Sequence, residues 1–532
     1  MVKTFWALPG CVALLTAVHI LIAMQVFEKS RPGRCTRPYF DDLGDDLLHI
    51  IVAALEMKRC SRFGRTCKRI QGIWRIRLET ELNLAPEQVA CFLDAMRGEN
   101  VLITGSAGTG KSHTLKMIIK HLGNENVAVT AATGAAAAVI GASTFHSTCA
   151  LGLGKAPVPL IVKRVLENPF AHARLRKLKV LVVDEAGMLS ASLFDKAGDV
   201  VGAVHRAYGT GYQAIMENTL PTVPFDDVQL ILSGDFLQLP PVDTEDGSGF
   251  IFQSKCWPNL HVKTHVLRMV HRQQDVRFIH ILQRMRLGLA TQEDLDYLHA
   301  NSAQVPNPGA LKLYSKNAPA DSENETRLAE INARTHIFRS IDSGANANMS
   351  DEHVAEVLKH SSAPKVLALK VGARVMCLKN IDNSLVNGSV GTVVLIFPTY
   401  DENERLLLYV NVRVQFDGQL GEDGFEYTFE SHIAGSEVKQ ENHFTISGQD
   451  HVKRAQRIQL PLRLAWAISI HKSQGKTLNT VDIDFLNTFM AGQAYTALSR
   501  VKTLAGAYLR GLKLSHMHMV NSKALRFYNS LG

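Results

Sequence analysis

Residues 105–112 read GSAGTGKS, a glycine-rich loop of the form GxxxxGK[ST]. It follows the apolar run 101–104 and leads into a helical stretch at 113–120. Glycines at 105, 108 and 110 let the backbone turn so that successive N–H groups point at an anion. The start of the following helix adds unsatisfied donors and the positive end of its dipole. On this reading Gly105, Ser106, Ala107, Gly108, Thr109, Gly110, Lys111 and Ser112 cradle a nucleoside triphosphate. Lys111 is expected to reach the β- and γ-phosphates, and Ser112 to give its hydroxyl to Mg2+. A Gly/Ser-rich turn can match the pattern by chance, but the strand before it and the helix after it argue against that.

Hydrolysis needs acids facing such a loop. Residues 179–188 (KVLVVDEAGM) form an unbroken apolar run that ends in Asp184 and Glu185. A buried parallel strand reads this way, and acids at its carboxyl end project toward a bound nucleotide. Asp184 is expected to hold Mg2+, directly or through water, and Glu185 to orient and deprotonate the attacking water. Adjacent acids also close surface turns; beside a phosphate loop they read as catalytic. Residues 229–241 (QLILSGDFLQLPP) repeat the design of a buried strand and polar turn. Gln238 in that turn can bond a γ-phosphate and release it after hydrolysis, as a sensor does. Upstream of the loop, Gln88 can pair its amide with an adenine edge. Residues 127–147 read as a strand, a turn and a small-residue helix, followed by a polar turn carrying Thr144 and His146. Taken alone, that stretch is a tightly packed alanine-rich helix with a capping cluster.

The elements that position these groups belong to a large molecule. A chain of 532 residues exceeds one hydrophobic core, so three or four domains are expected. With 46% hydrophobic and 20% charged residues, the composition is that of an ordinary globular protein and not of a disordered one. The eight cysteines include no CxxC pair, which argues against a zinc site or disulfide framework and for a reducing compartment. The net charge of +8 is uneven: residues 29–77 carry twelve Lys/Arg against five Asp/Glu, and 501–532 carry five against none. Basic ends around a near-neutral body suit nucleic acid phosphates, although a solvated face is the plain alternative.

Residues 5–27 contain no acid, lysine or arginine, and Arg31, Arg34 and Arg37 follow. The stretch is long enough for a bilayer, but Pro9, Gly10 and His19 interrupt it. A mitochondrial targeting segment over 1–39 is favoured, with a membrane anchor or a plain helix as alternatives and the nucleus as the other location. At 40–77, Leu47, Leu48, Ile51, Val52 and Leu55 recur at helical spacing, as do Phe63, Cys67, Ile70 and Trp74. A helical hairpin with a basic face is expected there. The pattern is also similar to an F-box, which would bring a Skp-like adaptor.

Taken in order, the strings GSAGTGKS, VTAATGAAAAVIGASTFHS, VLVVDEAGMLS, LFDK and LILSGDFLQLPPV resemble the Pif-type DNA helicases of superfamily one, relatives of RecD. The similarity continues through VHRQQD (270–275), LKVGARVM (369–376), LVNGSVGTV (385–393), LAWAISIHKSQGKTL (464–478) and GQAYTALSR (492–500). It covers about 84–515. Gly198 departs from it, standing where a larger apolar residue is usual, and 318–365 diverges as a Ser/Asn/Ala-rich insertion.

The resemblance implies an α/β fold of two RecA-like P-loop NTPase domains with parallel sheets, at 84–252 and 253–515. The second would carry the insertion 318–365 and a small β-barrel at about 371–450; a short helical region would precede both domains and a tail, 516–532, would follow. It implies ATP and Mg2+ in the cleft, with Arg272 and Arg500 of the second domain completing the γ-phosphate site. Thr133, Thr144, His146, Ser469, His471, Lys472 and Ser473 match the family's DNA contacts, although a helix-capping cluster would also explain 469–473. Single-stranded and forked duplex DNA would be the partners of a monomer moving five-prime to three-prime. The work would lie in replication, repair, recombination or telomere and genome maintenance. An F-box-type adaptor and an RNA-directed translocase with the same core are the rival readings.

Overall fold

The computed structural model describes residue 79 and residues 82–531, without 124–125, 134–135, 138–139, 141, 153, 155, 207–222, 242–248, 345–349, 359–360, 362, 380, 382–384, 386–388, 401–405, 418–423, 431–442 and 448–452. The expected targeting segment and the hairpin at 40–77 lie outside the described residues. The chain divides into two compact units, 1–99 with 116–123, and 100–115 with 124–532. In the smaller, helix α1 (Pro86–Met96) opens on a proline that needs no N–H partner in the first turn. The ring of Phe92 meets His121 edge to face at 5.3 Å.

The larger unit holds two parallel sheets. The first joins β1 (Val101–Gly105), β2 (Val127–Ala131), β3 (Ser143–Thr144), β4 (Val180–Asp184), β5 (Gln229–Ser233) and β6 (Lys263–Leu267) in the order β3-β2-β4-β5-β1-β6. Strand β1 is buried along its whole length, as an apolar run between two neighbours must be. Helix α2 (Lys111–Leu122) follows β1. Helices α3 (Val158–Leu166), α4 (Pro169–Lys177) and α5 (Ala191–Arg206) share one core with the sheet. Gly198 has a local reason: a Cβ there would lie 2.9 Å from Pro224 Cβ and 3.0 Å from the Phe225 ring. The segment entering β5 therefore docks on a bare patch of α5, where a larger residue would hold it off.

Two boundaries differ from expectation. Strand β6 pairs with β1 over five residues, so the first sheet runs past 252 to Leu267. An edge strand that is polar over its first three residues and only partly buried (KTHVL) lacks the continuous apolar signature of its neighbours. Residues 516–532 are no loose tail, for helix α11 (Ser522–Asn529) buries Ala524 in the first core. There Phe527 stacks on Phe252 at 4.3 Å and meets Phe236 edge to face at 5.3 Å.

The second lobe begins with α6 (Val276–Leu287) and α7 (Gln292–Asn301), then β7 (Leu311–Tyr314) and α8 (Asn317–Glu330). An antiparallel insertion follows: β8 (His336–Arg339), β9 (Ile341–Gly344), α9 (Asp351–Leu358), β10 (Val366–Leu369), β11 (Arg374–Cys377), β12 (Val390–Tyr400), β13 (Leu406–Phe416), β14 (Phe425–Glu430), β15 (His443–Ser447), β16 (Lys453–Ile458) and β17 (Leu462–Leu464). Five of these strands run in the order β14-β13-β12-β11-β17 over a core of Val375, Val393, Val412, Val414, Phe416 and Phe429. The parallel sheet resumes with β18 (Ala467–Ser469), β19 (Val481–Asp484) and β20 (Ala507–Arg510), in the order β18-β7-β19-β20. Helix α10 (Gln493–Leu498) lies in this lobe's core.

The segment 318–365, expected as a divergent insertion, opens instead as part of the lobe itself. Buried Asn324 on α8 donates to the Ala467 carbonyl (2.8 Å) and accepts the Trp466 and Ala467 N–H groups (3.0 and 2.9 Å), which pins the helix to β18.

Candidate functional site

The phosphate loop turns as its glycines predict, with φ of 141°, 80° and 82° at Gly105, Gly108 and Gly110. Lys111 Nζ donates to the Gly105 and Ser106 carbonyls at 2.9 and 2.8 Å. Crowding by protein pushes its pKa down to about 8, while Asp235 and Glu185 pull the other way. Thr109 Oγ1 donates to the Ser106 carbonyl (2.9 Å). Ser112, in the first turn of α2, is exposed.

Asp184 and Glu185 close β4 as the sequence predicts. Asp184 Oδ1 accepts the Ser233 hydroxyl at 2.8 Å and the Glu185 N–H at 2.9 Å. Glu185 adopts φ 52°, a left-handed conformation that a non-glycine residue holds at a cost of order 1 kcal/mol or more. Burial and neighbouring Asp184 push its pKa up to about 7, against the pull of Arg500, Lys111 and Gln474. Gln474, from the second lobe, donates its Nε2 to Glu185 Oε2 at 2.9 Å.

More groups arrive from the second lobe. Buried Arg500 donates Nη2 to Gln238 Oε1 (3.3 Å) and to Ser499 Oγ (3.0 Å), and Nε to the Thr496 carbonyl (3.1 Å). Tyr495 Oη accepts the Ala107 N–H of the phosphate loop at 2.8 Å. At Gly492, where α10 begins, a Cβ would fall 2.2 Å from the Gln238 carbonyl oxygen, so glycine is required for this approach. Arg272 differs from its expected origin: it sits on the connector after β6, beside the loop, with His271 N–H donating to the Gly108 carbonyl (2.8 Å). Its guanidinium nonetheless reaches the second lobe, bonding Thr477 Oγ1 (3.0 Å) and the Ser499 carbonyl (2.8 Å). Burial, with repulsion from Arg500, brings its pKa down to about 9. Lys111, Arg272 and Arg500 thus form a crowded cationic group around a cradle of N–H donors, an arrangement that favours a polyanion.

A second network escaped the sequence reading. Asp235, in the turn after β5, forms a forked ion pair with Arg286 of α6 (2.8 Å). Burial alone would raise the carboxyl pKa; Arg286 and Lys111 hold it below the usual range. Gln238 Nε2 also donates to Asp235, at 3.3 Å. The string SGD carries Asp235, but nothing in the chain near it announces Arg286 fifty-one residues on. Gln474 and Tyr495 lie within strings recognised from the family, without a role assigned to either.

The expected DNA contacts lie at or after the ends of three strands, β2, β3 and β18. Thr133 follows β2 and accepts the Ala136 N–H (3.2 Å). Thr144 ends β3 and caps the short helix Phe145–Thr148, which carries His146. Across the second sheet Ser469 ends β18 and its buried hydroxyl has no partner among the described residues, as is also true of His471 Nε2. Lys472 is half-buried and burial lowers its pKa. Ser473 departs from expectation: it is fully buried and donates to the Ile470 carbonyl (2.7 Å), a capping role. Gln88 lies on α1, where its Oε1 accepts the Ala85 N–H at 3.0 Å.

A family profile described as PIF1-like helicase matches residues 83–296, and one for the 2B domain of DNA helicase Pif1 matches 354–396. The chain is 34% identical over 473 residues to the ATP-dependent DNA helicase PIF1 of Emericella nidulans, covering 82% of this chain and 61% of that one. It therefore spans about three fifths of that curated relative's length. A crystal structure of Pif1 helicase from Candida albicans is 33% identical, with a TM-score of 0.70 over 84% of this chain and 99% of that chain. A structure of two coordinating Pif1 helicases, described as the basis for DNA unwinding at forked dsDNA, is 25% identical, with a TM-score of 0.57 over 84% and 98%. By sequence and by overall fold, this chain belongs to the PIF1-like helicase family.

Proposed function

We propose that this chain is an ATP-dependent DNA helicase that moves five-prime to three-prime on single strands and separates the duplex ahead of it. One observation carries the reading. Lys111 and Glu185 of the first lobe stand with Arg500 and Gln474 of the second in one constellation, bridged by the Arg500–Gln238 and Gln474–Glu185 bonds. Phosphoryl transfer spreads charge over equatorial oxygens, and a guanidinium there is worth about 10³-fold or more. With that guanidinium on the opposite lobe, turnover requires closure, and closure moves the grip along the strand.

Each residue has a role in the proposal. Lys111 holds the β- and γ-phosphates, and the loop N–H groups from Gly105 to Ser112 surround them. The exposed Ser112 hydroxyl and the Asp184 carboxylate fit Mg2+, which prefers few protein ligands and keeps its waters. Bound there, the ion would offset phosphate charge. Glu185 takes the proton of the attacking water, Arg500 and Arg272 stabilise the charge that develops, and Gln238 reports the γ-phosphate. Gln88 reads the adenine. Thr133, Thr144, His146, Ser469, His471 and Lys472 grip phosphates and sugars without reading sequence. The acid-poor residues 5–27 favour a mitochondrial location, with genome repair and recombination as the work.

The test is strand separation on tailed duplexes of both polarities, in DNA and RNA, with Mg2+ and ATP. The five-prime DNA tail is expected to support unwinding, and Lys111→Ala to lower it by about 10²-fold or more. Unwinding retained in Lys111→Ala, or a preference for RNA or for three-prime tails, overturns the assignment.

A further inference from the structure

We propose that Tyr528 is a positioning residue for ATP hydrolysis: its hydroxyl orients the Asp235 carboxylate, which in turn sets Gln238 and Arg500 relative to the phosphate loop. The inference rests on the ATPase reading above and goes beyond it, since α11 lies outside every motif that carries that reading.

Tyr528 Oη donates to Asp235 Oδ1 (3.1 Å), accepts the Phe236 N–H (3.3 Å) and is hydrogen-bonded to Thr104 Oγ1. Thr104 is the residue of β1 immediately before Gly105, and it is fully buried. One phenol therefore ties α11 to the root of the phosphate loop and to the turn that carries Gln238. From Asp235 the chain of bonds continues. Its oxygens accept the Leu237 N–H (3.1 Å) and Gln238 Nε2 (3.3 Å), and Gln238 Oε1 receives Arg500. The Arg286 guanidinium lies over the Tyr528 ring at 4.3 Å while bonding the same carboxylate.

Packing alone does not account for a tyrosine here. Phe236, Phe252 and Phe527 surround the site, and a phenylalanine would join them without a polar group to satisfy. A buried hydroxyl is tolerated where it finds partners, and the partners here flank the loop and the sensor turn. Charge compensation does not require it either, because Arg286 already neutralises Asp235. What the hydroxyl adds is direction: it competes for Oδ1 and so fixes how the carboxylate faces Gln238.

The experiment measures steady-state ATP turnover of the full chain with and without single-stranded DNA, alongside thermal unfolding, for wild type, Tyr528→Phe and Phe527→Ala. Tyr528→Phe keeps the ring and is expected to lower the DNA-stimulated kcat about tenfold with KM for ATP within about twofold. Phe527→Ala removes packing but no hydroxyl bond, and is expected to lower Tm while kcat stays within about twofold. Combined with Asp235→Asn, Tyr528→Phe is expected to add little further loss, as residues acting in one network do. A wild-type kcat in Tyr528→Phe overturns the proposal, as does a loss that Phe527→Ala matches or a full additive loss in the double variant. A wild-type chain without DNA-stimulated turnover would bring down the ATPase reading itself and this inference with it.

Discussion

In the proposed reaction Glu185 is the base, and its environment sets the conditions under which it can act. A base works only when ionised, and burial beside Asp184 has pushed its pKa up to about 7. ATP turnover is therefore expected to fall as pH drops from 8 to 6, along a limb centred near 7, in a pH–rate profile. Gln474 opposes that shift by donating to the carboxylate, so Gln474→Ala is expected to move the limb to higher pH. Glu185→Gln is expected to cut kcat by about 10²-fold or more while nucleotide binding persists. The linkage sign follows from the raised pKa: the folded state holds the Glu185 proton more tightly than the unfolded chain does. Stability from this group is present below the unfolded value and lost as pH rises through about 7, so Glu185→Gln is expected to raise Tm at pH 8. The residues of this centre were legible in the chain because each lies on a motif whose chemistry demands it. Gln474 and Arg286 were not, because their roles depend on which elements meet, and one sequence does not encode that spacing.

At the scale of elements, the strands of the first sheet announced themselves wherever both faces are covered, as in VLITG, VLVVD and QLILS. The edge strand β6 and helix α11 did not. One opens on three polar residues and is only partly buried, and the other is a short basic segment whose apolar residues serve a distant core. Gly198, where the family resemblance leads one to expect a larger residue, has Pro224 and Phe225 seated against it. Gly198→Leu is accordingly expected to destabilise the fold by about 2 kcal/mol, the cost of overpacking a close helix contact, measurable by urea unfolding. Likewise Asn324→Ala should loosen α8 from β18, since it strips partners from two buried N–H groups and a carbonyl.

Across the whole molecule, positive charge gathers in 29–77 and 501–532, while hydroxyls and Lys472 line the ends of β2, β3 and β18. The logarithm of the affinity for single strands is therefore expected to fall linearly with the logarithm of salt concentration. Lys472→Ala should flatten that slope by about 0.7, one phosphate contact, in a fluorescence titration. The Gln474–Glu185 bond has a consequence at this scale too. Glu185, the proposed base, is steadied by the opposite half of the protein, and so is Gln238, through Arg500. Any opening between the halves would break both bonds at once and separate Glu185 from Gln474 and Gln238 from Arg500. Under the proposed ATPase reading, separation of the halves is expected to slow turnover, so that binding to a strand and spending of fuel are coupled without any separate brake.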